Sequence, residues 1–276
     1  MQTSTLRHNA SGIDWYCELR GSGPSVVLIP SGEGDCGSFA RVADELAKNF
    51  NVLTFDMPGF SRSSPPRTFG QVTADELADQ VASLVTSLNL APAAFYGCSS
   101  AGLAALSLVA RHADIVRNAV VHEAALINDF PLPEVVEALS GMNNLDDVAI
   151  VRACKDLFRS KFISDLRAWD ALGDEYHTRL EKNYVTWVRH YVWAGLANRA
   201  YSSEELTRRP IAWSIGGFSE VWFGVSNLRV AQRANIDVEI LPCKHFPQVE
   251  IPGVLADRIR KCAEQHLQHA HVSVAH

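Results

Sequence analysis

Apolar residues recur along the chain in two patterns that alternate with each other. Short continuous runs of Val, Leu and Ile, such as SVVLIPSG and FNVLTFDMPG, are typical of strands that are buried on both faces of a sheet. Longer stretches place apolar residues three and four positions apart, as in FARVADELAKN and TADELADQVASLVTSLNL, and this spacing predicts helices with one apolar face. The second of these begins with Thr73 and Glu76 in T-x-x-E order, which predicts a capping box at the helix start.

The order of these elements predicts the architecture. Strand and helix patterns alternate up to the strand VRNAVVHE, give way to a helical block without strands, and resume with PIAWSIG, DVEILPC and a final helix, GVLADRIRKCAEQHLQ. Such alternation is typical of an α/β fold with a largely parallel central sheet and helices on both faces. We therefore expect a core made of residues 1–125 and 202–276, with residues 126–201 inserted as a helical cap.

The segment FYGCSSAG joins a predicted strand to a predicted helix and contains two adjacent serines. Strand, Gly-x-Ser-x-small residue and helix is the nucleophile-elbow arrangement, in which a tight turn exposes a serine at the edge of the sheet. Gly97 and Ala101 stand two residues before and after Ser99, whereas Ser100 would have the bulkier Cys98 before it. We therefore predict Ser99 as a nucleophile; the alternative is a serine-rich helix cap.

A serine hydroxyl is a weak nucleophile until a general base takes its proton. His245 follows the apolar strand VEILP and precedes the last helix. This position predicts that His245 lies at the carboxyl edge of the sheet, where the serine turn also lies. It also fits the chain order nucleophile, acid, histidine of such hydrolases. We predict His245 as the base, and a surface loop histidine is the alternative.

The imidazole in turn needs a carboxylate that fixes its tautomer. The turn after PIAWSIG contains no Asp, and its nearest carboxylate is Glu220. Glu123 lies one strand earlier, at the end of VRNAVVHE. We favour Glu123 because a long side chain can reach His245 from the neighbouring strand end. The alternative for Glu123 is that it caps the first helix of the inserted block.

Two backbone N–H groups are expected to stabilise the negative charge that develops on the substrate oxygen. One belongs to Ser100, directly after the nucleophile, and the other to the loop PSGEGDCGSF after the strand SVVLIP. We assign the second N–H to Gly32, with that of Glu33 as the rival, because Gly32 and Gly34 let a carbonyl approach closely. Ser31, beside this loop, is a predicted substrate contact.

Composition narrows the classes of function. The 276 residues are 47% hydrophobic and 20% charged, and a net charge of −6 without a basic block argues against nucleic acid and anionic membranes as partners. No segment has the apolar length of a membrane span, so we expect a cytoplasmic protein. The six cysteines form no CxxC pair, and neither a metal-ligand nor a nucleotide motif is present, so we expect reduced thiols and no cofactor.

Together these residues resemble the α/β-hydrolase superfamily, and more closely the fungal zearalenone hydrolases, which are lactonases. Similar stretches spread along most of the chain and include GPSVVLIPSGEGDC, VLTFDMPGFSRS, YGCSSAG, LPCKHFPQV and, most specifically, GDEYHTRLEKNY. The resemblance implies a Ser-Glu-His triad, which supports Ser99, Glu123 and His245. It also implies that a cap tryptophan, here Trp187, holds the substrate near the ester; a core aromatic of the cap is the other interpretation.

Some stretches depart from the family pattern. Ser31 replaces an acidic residue, the cap between HEAAL and GDEYH is somewhat longer, and RHYVWAGLANRA after Trp187 is dissimilar. The resemblance implies that the protein opens a resorcylic acid macrolactone such as zearalenone. Two alternatives stay open: a carboxylesterase or lactonase for another apolar polyketide ester, and a weakly catalytic binding protein of the same fold. The expected partner is thus a small apolar ester, and a homodimer is compatible with these classes.

Overall fold

A computed structural model of the protein describes residues 3–193 and 198–272. Within these residues, eight strands form one sheet in the order β1-β2-β4-β3-β5-β6-β7-β8. The strands from β4 to β8 in this order are parallel, whereas β1, β2 and β4 pair in antiparallel fashion. The strands are β1 (Thr3–Ala10), β2 (Ile13–Arg20), β3 (Ser25–Ile29), β4 (Asn51–Phe55), β5 (Ala93–Cys98), β6 (Val116–His122), β7 (Ile211–Gly216) and β8 (Val238–Leu241).

Helices cover both faces of this sheet, as predicted. One apolar cluster joins α2, α3 and α9 to one face, and a second cluster joins α1 and α11 to the other. The central strands β3 and β5 are buried on both faces, which explains their continuous apolar runs. The helices are α1 (Ala40–Leu46), α2 (Ala74–Ser87), α3 (Ser100–Arg111), α4 (Pro133–Met142), α5 (Asp147–Leu157), α6 (Leu166–Asp170), α7 (Asp174–Trp187), α8 (Ser203–Leu206), α9 (Val221–Arg233), α10 (Pro247–Glu250) and α11 (Pro252–Val272).

Helix α2 starts at the predicted capping box. The Thr73 side chain accepts a hydrogen bond from the N–H of Glu76 at 3.1 Å, and the Glu76 carboxylate accepts one from the N–H of Thr73 at 2.8 Å. Two of the N–H groups that have no partner inside the helix are thereby satisfied. The apolar stripe of α2 is buried against α3 and the sheet, so this element follows directly from its local sequence.

The segment between β6 and β7 is helical, and it has an apolar core of its own. That core is formed by side chains of α4 to α7 together with Phe246 and Val249 from the loop after β8 and from α10. Five-residue π-helical turns follow α5 at Phe158–Phe162 and α7 at Val188–Val192. Tyr201, in contrast, packs into the main core. The exact division at residues 126 and 201 stays a prediction.

The structure contains elements that the apolar pattern did not predict, namely strand β1 and helices α8, α9 and α10. Strand β1 carries polar residues at most positions and pairs only with β2 at the edge of the sheet, so it needs no apolar run. Helix α9 follows the turn after β7. The final helix was predicted to end at residue 268, but it continues to Val272. Residues 194–197, within RHYVWAGLANRA, and residues 273–276 lie outside the described part of the chain.

Candidate active site

Ser99 lies in a strained turn between β5 and α3. Its backbone has φ 57° and ψ −123°, a left-handed conformation that non-glycine residues rarely adopt. A Cβ added at Gly97 would lie 2.1 Å from the carbonyl oxygen of Ala101, so only glycine fits two residues before Ser99. A Cβ at Gly102 would come within 2.9 Å of Ala124 Cα. The predicted crowding around the turn is therefore present.

His245 lies beside this turn, in the loop after β8. Its backbone carbonyl accepts a hydrogen bond from the Cys98 thiol at 2.9 Å, and its N–H donates to the carbonyl of Phe162 at 3.2 Å. The imidazole is 1% exposed, stacks on Phe223 and also contacts the ring of Phe162. Its Nε2 has no hydrogen-bond partner among the described residues, the Ser99 hydroxyl included. Catalytic hydrogen bonds are often long before substrate binds.

Glu123 is the carboxylate that reaches His245. Its Oε2 lies 2.7 Å from His245 Nδ1, and it also accepts hydrogen bonds from the Ser219 hydroxyl at 2.9 Å and, through Oε1, from the N–H of Gly216 at 2.7 Å. Burial favours a raised pKa, but the hydrogen bonds from His245 and Gly216 and the proximity of the His245 imidazole hold the pKa of Glu123 below its usual range. Glu123 is thus an ionised partner for the imidazole, and both of its carboxylate oxygens accept hydrogen bonds.

The rival carboxylate, Glu220, has a different partner from the one predicted for a triad acid. It is exposed and pairs with the Lys161 ammonium at 2.9 Å. Glu123 stays close to His245 because the chain turns sharply at the end of β6, where Glu123 has a φ of 40°. His122, next to it, is fully buried; burial lowers its pKa to about 4, so it is neutral at pH 7. His122 therefore adds no positive charge beside the pair formed by Glu123 and His245.

The predicted donors of the oxyanion hole lie in two separate turns. Ser100 is the first residue of α3, and the first N–H groups of a helix have no partner inside the helix. The loop after β3 forms a turn in which the N–H of Gly34 donates to the carbonyl of Ser31 at 3.0 Å, which leaves the N–H of Gly32 out of the turn hydrogen bond. A Cβ at Gly32 would lie 2.9 Å from the indole nitrogen of Trp187, so the two are in close contact.

Glu33 occupies the same turn, and its carboxyl is completely buried. One of its oxygens accepts a hydrogen bond from the Ser38 hydroxyl at 3.2 Å, while the other has no partner among the described residues. Burial raises the pKa of Glu33 to about 7, although the backbone N–H groups of Glu33 and Ser31 partly offset the effect. Gly32 and its rival Glu33 both stay candidates for the second oxyanion donor.

A cavity of about 330 Å³ opens in front of Ser99, which is within the range of small-molecule sites. Its wall is predominantly apolar and comes from the helical segment, the end of β6 and the start of α9. Three charged residues also line it, namely Glu134, Lys161 and Glu220. The apolar and aromatic lining residues are Ala125, Ile127, Val135, Ala138, Leu139, Leu157, Phe162, Trp187, Trp222 and Phe223.

Of the two predicted substrate contacts, Trp187 lines this cavity and Ser31 does not. Ser31 is 1% exposed, and its hydroxyl has no partner among the described residues. Two phenylalanines of the helical segment also differ in position: Phe162 lines the cavity, whereas Phe158 belongs to the apolar core of that segment.

Several residues that shape the site were not predicted from the sequence. Gly216 and Ser219 bind Glu123, and they lie in the turn GGFS after β7, a glycine pair that marks a tight turn near the catalytic edge. Phe162 and Phe223 enclose the His245 ring, but they are distant in sequence and carry no recognisable motif. Only the fold brings them together.

This arrangement provides the parts of nucleophilic acyl transfer: a serine that lines the cavity, an imidazole with a buried carboxylate, and N–H groups at a helix start. The described residues contain no cluster of three or more His, Cys, Asp or Glu side chains suited to a metal ion. None of the helices between residues 3 and 272 that the structure describes has the length and apolar character to cross a membrane.

Comparison with known proteins identifies the family. Residues 24–175 match the alpha/beta hydrolase fold family. The chain is 35% identical over 272 residues to a zearalenone hydrolase of Bionectria ochroleuca, covering 97% of this chain and 100% of that protein. It is 37% identical to a zearalenone hydrolase of Cladophialophora bantiana, covering 93% and 95% of the two chains.

Solved structures support the same fold at lower identity. An enol-lactonase from Burkholderia xenovorans aligns with a TM-score of 0.74 and 20% identity, over 93% of this chain and 98% of that one. A putative epoxide hydrolase from Pseudomonas aeruginosa aligns with a TM-score of 0.76 and 13% identity, over 96% and 97%. The predicted α/β-hydrolase fold and the predicted class, a carboxylic ester hydrolase of the lactonase type, are confirmed. The chain belongs to the zearalenone hydrolase family of the α/β-hydrolase superfamily.

Proposed function

We propose that the protein is a serine hydrolase that opens the ester bond of a resorcylic acid macrolactone, zearalenone or a close derivative, through an acyl-enzyme. The observation that carries the proposal is the 2.7 Å hydrogen bond between His245 Nδ1 and Glu123 Oε2, beside the strained Ser99 turn and the apolar cavity. The names of the two similar proteins support the substrate class.

In the first half-reaction, His245 Nε2 takes the proton of the Ser99 hydroxyl as Oγ bonds to the ester carbonyl carbon. The tetrahedral intermediate then breaks the ring C–O bond, and His245 gives its proton to the departing alkoxide. In the second half-reaction, water transfers a proton to His245 and its oxygen to the acyl carbon. The bond to Ser99 Oγ breaks, Ser99 regains its proton from His245, and the ring-opened hydroxy acid leaves. Glu123 stabilises the imidazolium in both halves.

The N–H groups of Gly32 and Ser100 are proposed to bind the oxyanion in both tetrahedral states. Removing one such donor typically lowers the rate by about 10²- to 10³-fold. Trp187, in contact with Gly32 and in the cavity wall, has an indole N–H that can donate to the lactone while its ring packs on the apolar substrate. Residues 126–201 are proposed to form the cap over the substrate.

The direct test is mass spectrometry of zearalenone and its reduced alcohols after incubation with the pure protein. Ring opening by water, absent in Ser99→Ala, is the expected result. If these compounds stay intact while simple apolar esters are cleaved, the enzyme is an esterase or lactonase for another substrate. If no ester is cleaved but zearalenone binds, the protein is a binding protein of this fold.

A cytoplasmic location is proposed as well, because all six cysteines are unpaired in the structure and five of them are buried. Fractionation of cells that express the protein tests this proposal. Light scattering of the purified protein decides between a monomer and a homodimer.

A further inference from the structure

Three side chains on one side of α7 contact the loop that carries the proposed oxyanion donor. Arg179, Asn183 and Trp187 are four residues apart, a spacing that aligns side chains along a helix. Arg179 Nε donates to Asp35 Oδ2 at 2.6 Å, Asn183 Nδ2 donates to the Glu33 carbonyl at 2.7 Å, and Trp187 lies against Gly32. Successive turns of the helix therefore hold successive parts of this loop, in reverse chain order.

Asn183 is the central contact of the three. It is completely buried, and its amide also joins the loop after β4: Nδ2 donates to the Ser61 hydroxyl at 2.8 Å, and Oδ1 accepts from the Ser61 N–H at 2.8 Å. Ser61 has a φ of 42°, and its hydroxyl donates to Asp35 Oδ2 at 2.7 Å. One side chain thus links α7 to two loops of the core.

Asp35 stabilises the contact between this loop and α7 through its ion pair with Arg179. Burial favours a raised pKa for Asp35, but hydrogen bonds from Arg179, Ser61 and the N–H of Gly37 hold it below the usual range. A buried ionised carboxylate is costly unless it is paired, so Asp35 favours the position of α7 in which Arg179 reaches it.

Glycine supplies the backbone freedom of the turn after β3. This turn contains Gly32 and Gly34, Gly34 has a φ of 66°, and glycine accepts many backbone conformations. The carbonyl of Glu33, which Asn183 holds, is two peptide units away from the N–H of Gly32. Fixing this carbonyl therefore restricts the direction of that N–H.

We infer that Asn183 is a positioning residue, which acts through the Glu33 carbonyl to aim the Gly32 N–H at the oxyanion. The inference rests on the proposed function and deepens it. It also gives a role to GDEYHTRLEKNYVTW, a segment with chemistry-bearing residues that the triad does not use. A donor displaced by about 1 Å is expected to lower the rate by up to about a hundredfold.

The test compares Asn183→Ala and Asn183→Asp with wild type and with Lys182→Ala, an exposed neighbour on the same helix. Asn183→Asp keeps the shape and the acceptor for the Ser61 N–H. All variants are assayed at pH 9, above the raised pKa that burial gives a carboxyl such as that of Glu33, so that the new carboxylate is ionised and cannot donate to the Glu33 carbonyl. The readouts are kcat and KM on zearalenone, and the inhibition constant of an alkyl boronic acid, which adds to a serine oxygen as a tetrahedral anion.

The expected result is a fall in kcat of about ten- to a hundredfold in both Asn183 variants, with KM nearly unchanged and boronate binding weakened by a similar factor. Lys182→Ala keeps wild-type values. A folded Asn183 variant with wild-type kcat overturns the inference alone, as does a rise in KM without a fall in kcat. If Asn183→Ala does not fold, Asn183→Asp decides. A wild-type protein that neither opens an ester nor binds the boronate overturns the proposed function as well.

Discussion

The buried carboxyl of Glu33 makes a quantitative prediction about stability and pH. In the folded protein its pKa is about 7, against an ordinary value of 4.5. Between these two pH values the folded state keeps a proton that the unfolded chain releases, so the free energy of unfolding falls as pH rises through this window. The gap of about 2.5 pH units corresponds to about 3 kcal/mol. Glu33→Gln removes this titration.

The measurement is urea or guanidinium unfolding of wild type and Glu33→Gln at a series of pH values from 4 to 8. Relative to the wild type, the variant should gain about 3 kcal/mol between the two ends of this range. His122, whose pKa burial lowers to about 4, works in the opposite direction, but it is present in both proteins and cancels in the difference.

Glu137→Gln, which changes an exposed glutamate of α4, is the matched control for the loss of a carboxylate. If the stability difference between wild type and Glu33→Gln stays constant from pH 4 to pH 8, the pKa of Glu33 is not raised by folding. In that case Glu33 reaches water or a cation in solution.

Three further predictions concern single residues of the site. Glu123→Gln should lower kcat in steady-state kinetics by about 10⁴-fold, since the imidazole loses the anion that fixes its tautomer. The control variant Glu220→Gln should keep kcat near the wild-type value. Gly97→Ala should destabilise the fold by about 1–3 kcal/mol, because its Cβ would meet the backbone of Ala101. Thermal unfolding measures this loss of stability. The control is Gly253→Ala, whose Cβ would meet nothing within 4 Å. Trp187→Phe should lower kcat/KM about fivefold through loss of one hydrogen bond, and an unchanged value would show that the indole N–H does not bind substrate.

The predictable parts of the fold are those with strong local patterns. The runs in β3 and β5 are continuous because both faces are buried, and α2 carries its start signal in Thr73 and Glu76. Strand β1 escaped prediction because an edge strand with one partner is not required to be apolar. The order of parallel strands predicts that Ser99, His245 and Glu123 lie at one edge of the sheet, and chain order and side-chain length are the grounds on which the sequence proposes them as a triad.

The rest of the site depends on contacts between distant segments. Asn183 and Glu33 are 150 residues apart, and Cys98 and His245 are 147 apart. No local pattern distinguishes a buried Asn that bridges two loops from an exposed one on a helix. The rise in the pKa of Glu33 likewise follows from its complete burial, which its neighbours in sequence do not reveal.

The central claim is that Ser99 is the nucleophile and that His245 and Glu123 activate it. Labelling with a fluorophosphonate, followed by peptide mapping by mass spectrometry, tests this claim directly, because the reagent bonds covalently to an activated serine. We expect a single adduct on Ser99, absent in Ser99→Ala and formed much more slowly in His245→Gln and Glu123→Gln. An adduct on another residue, or labelling of His245→Gln at the wild-type rate, would contradict it.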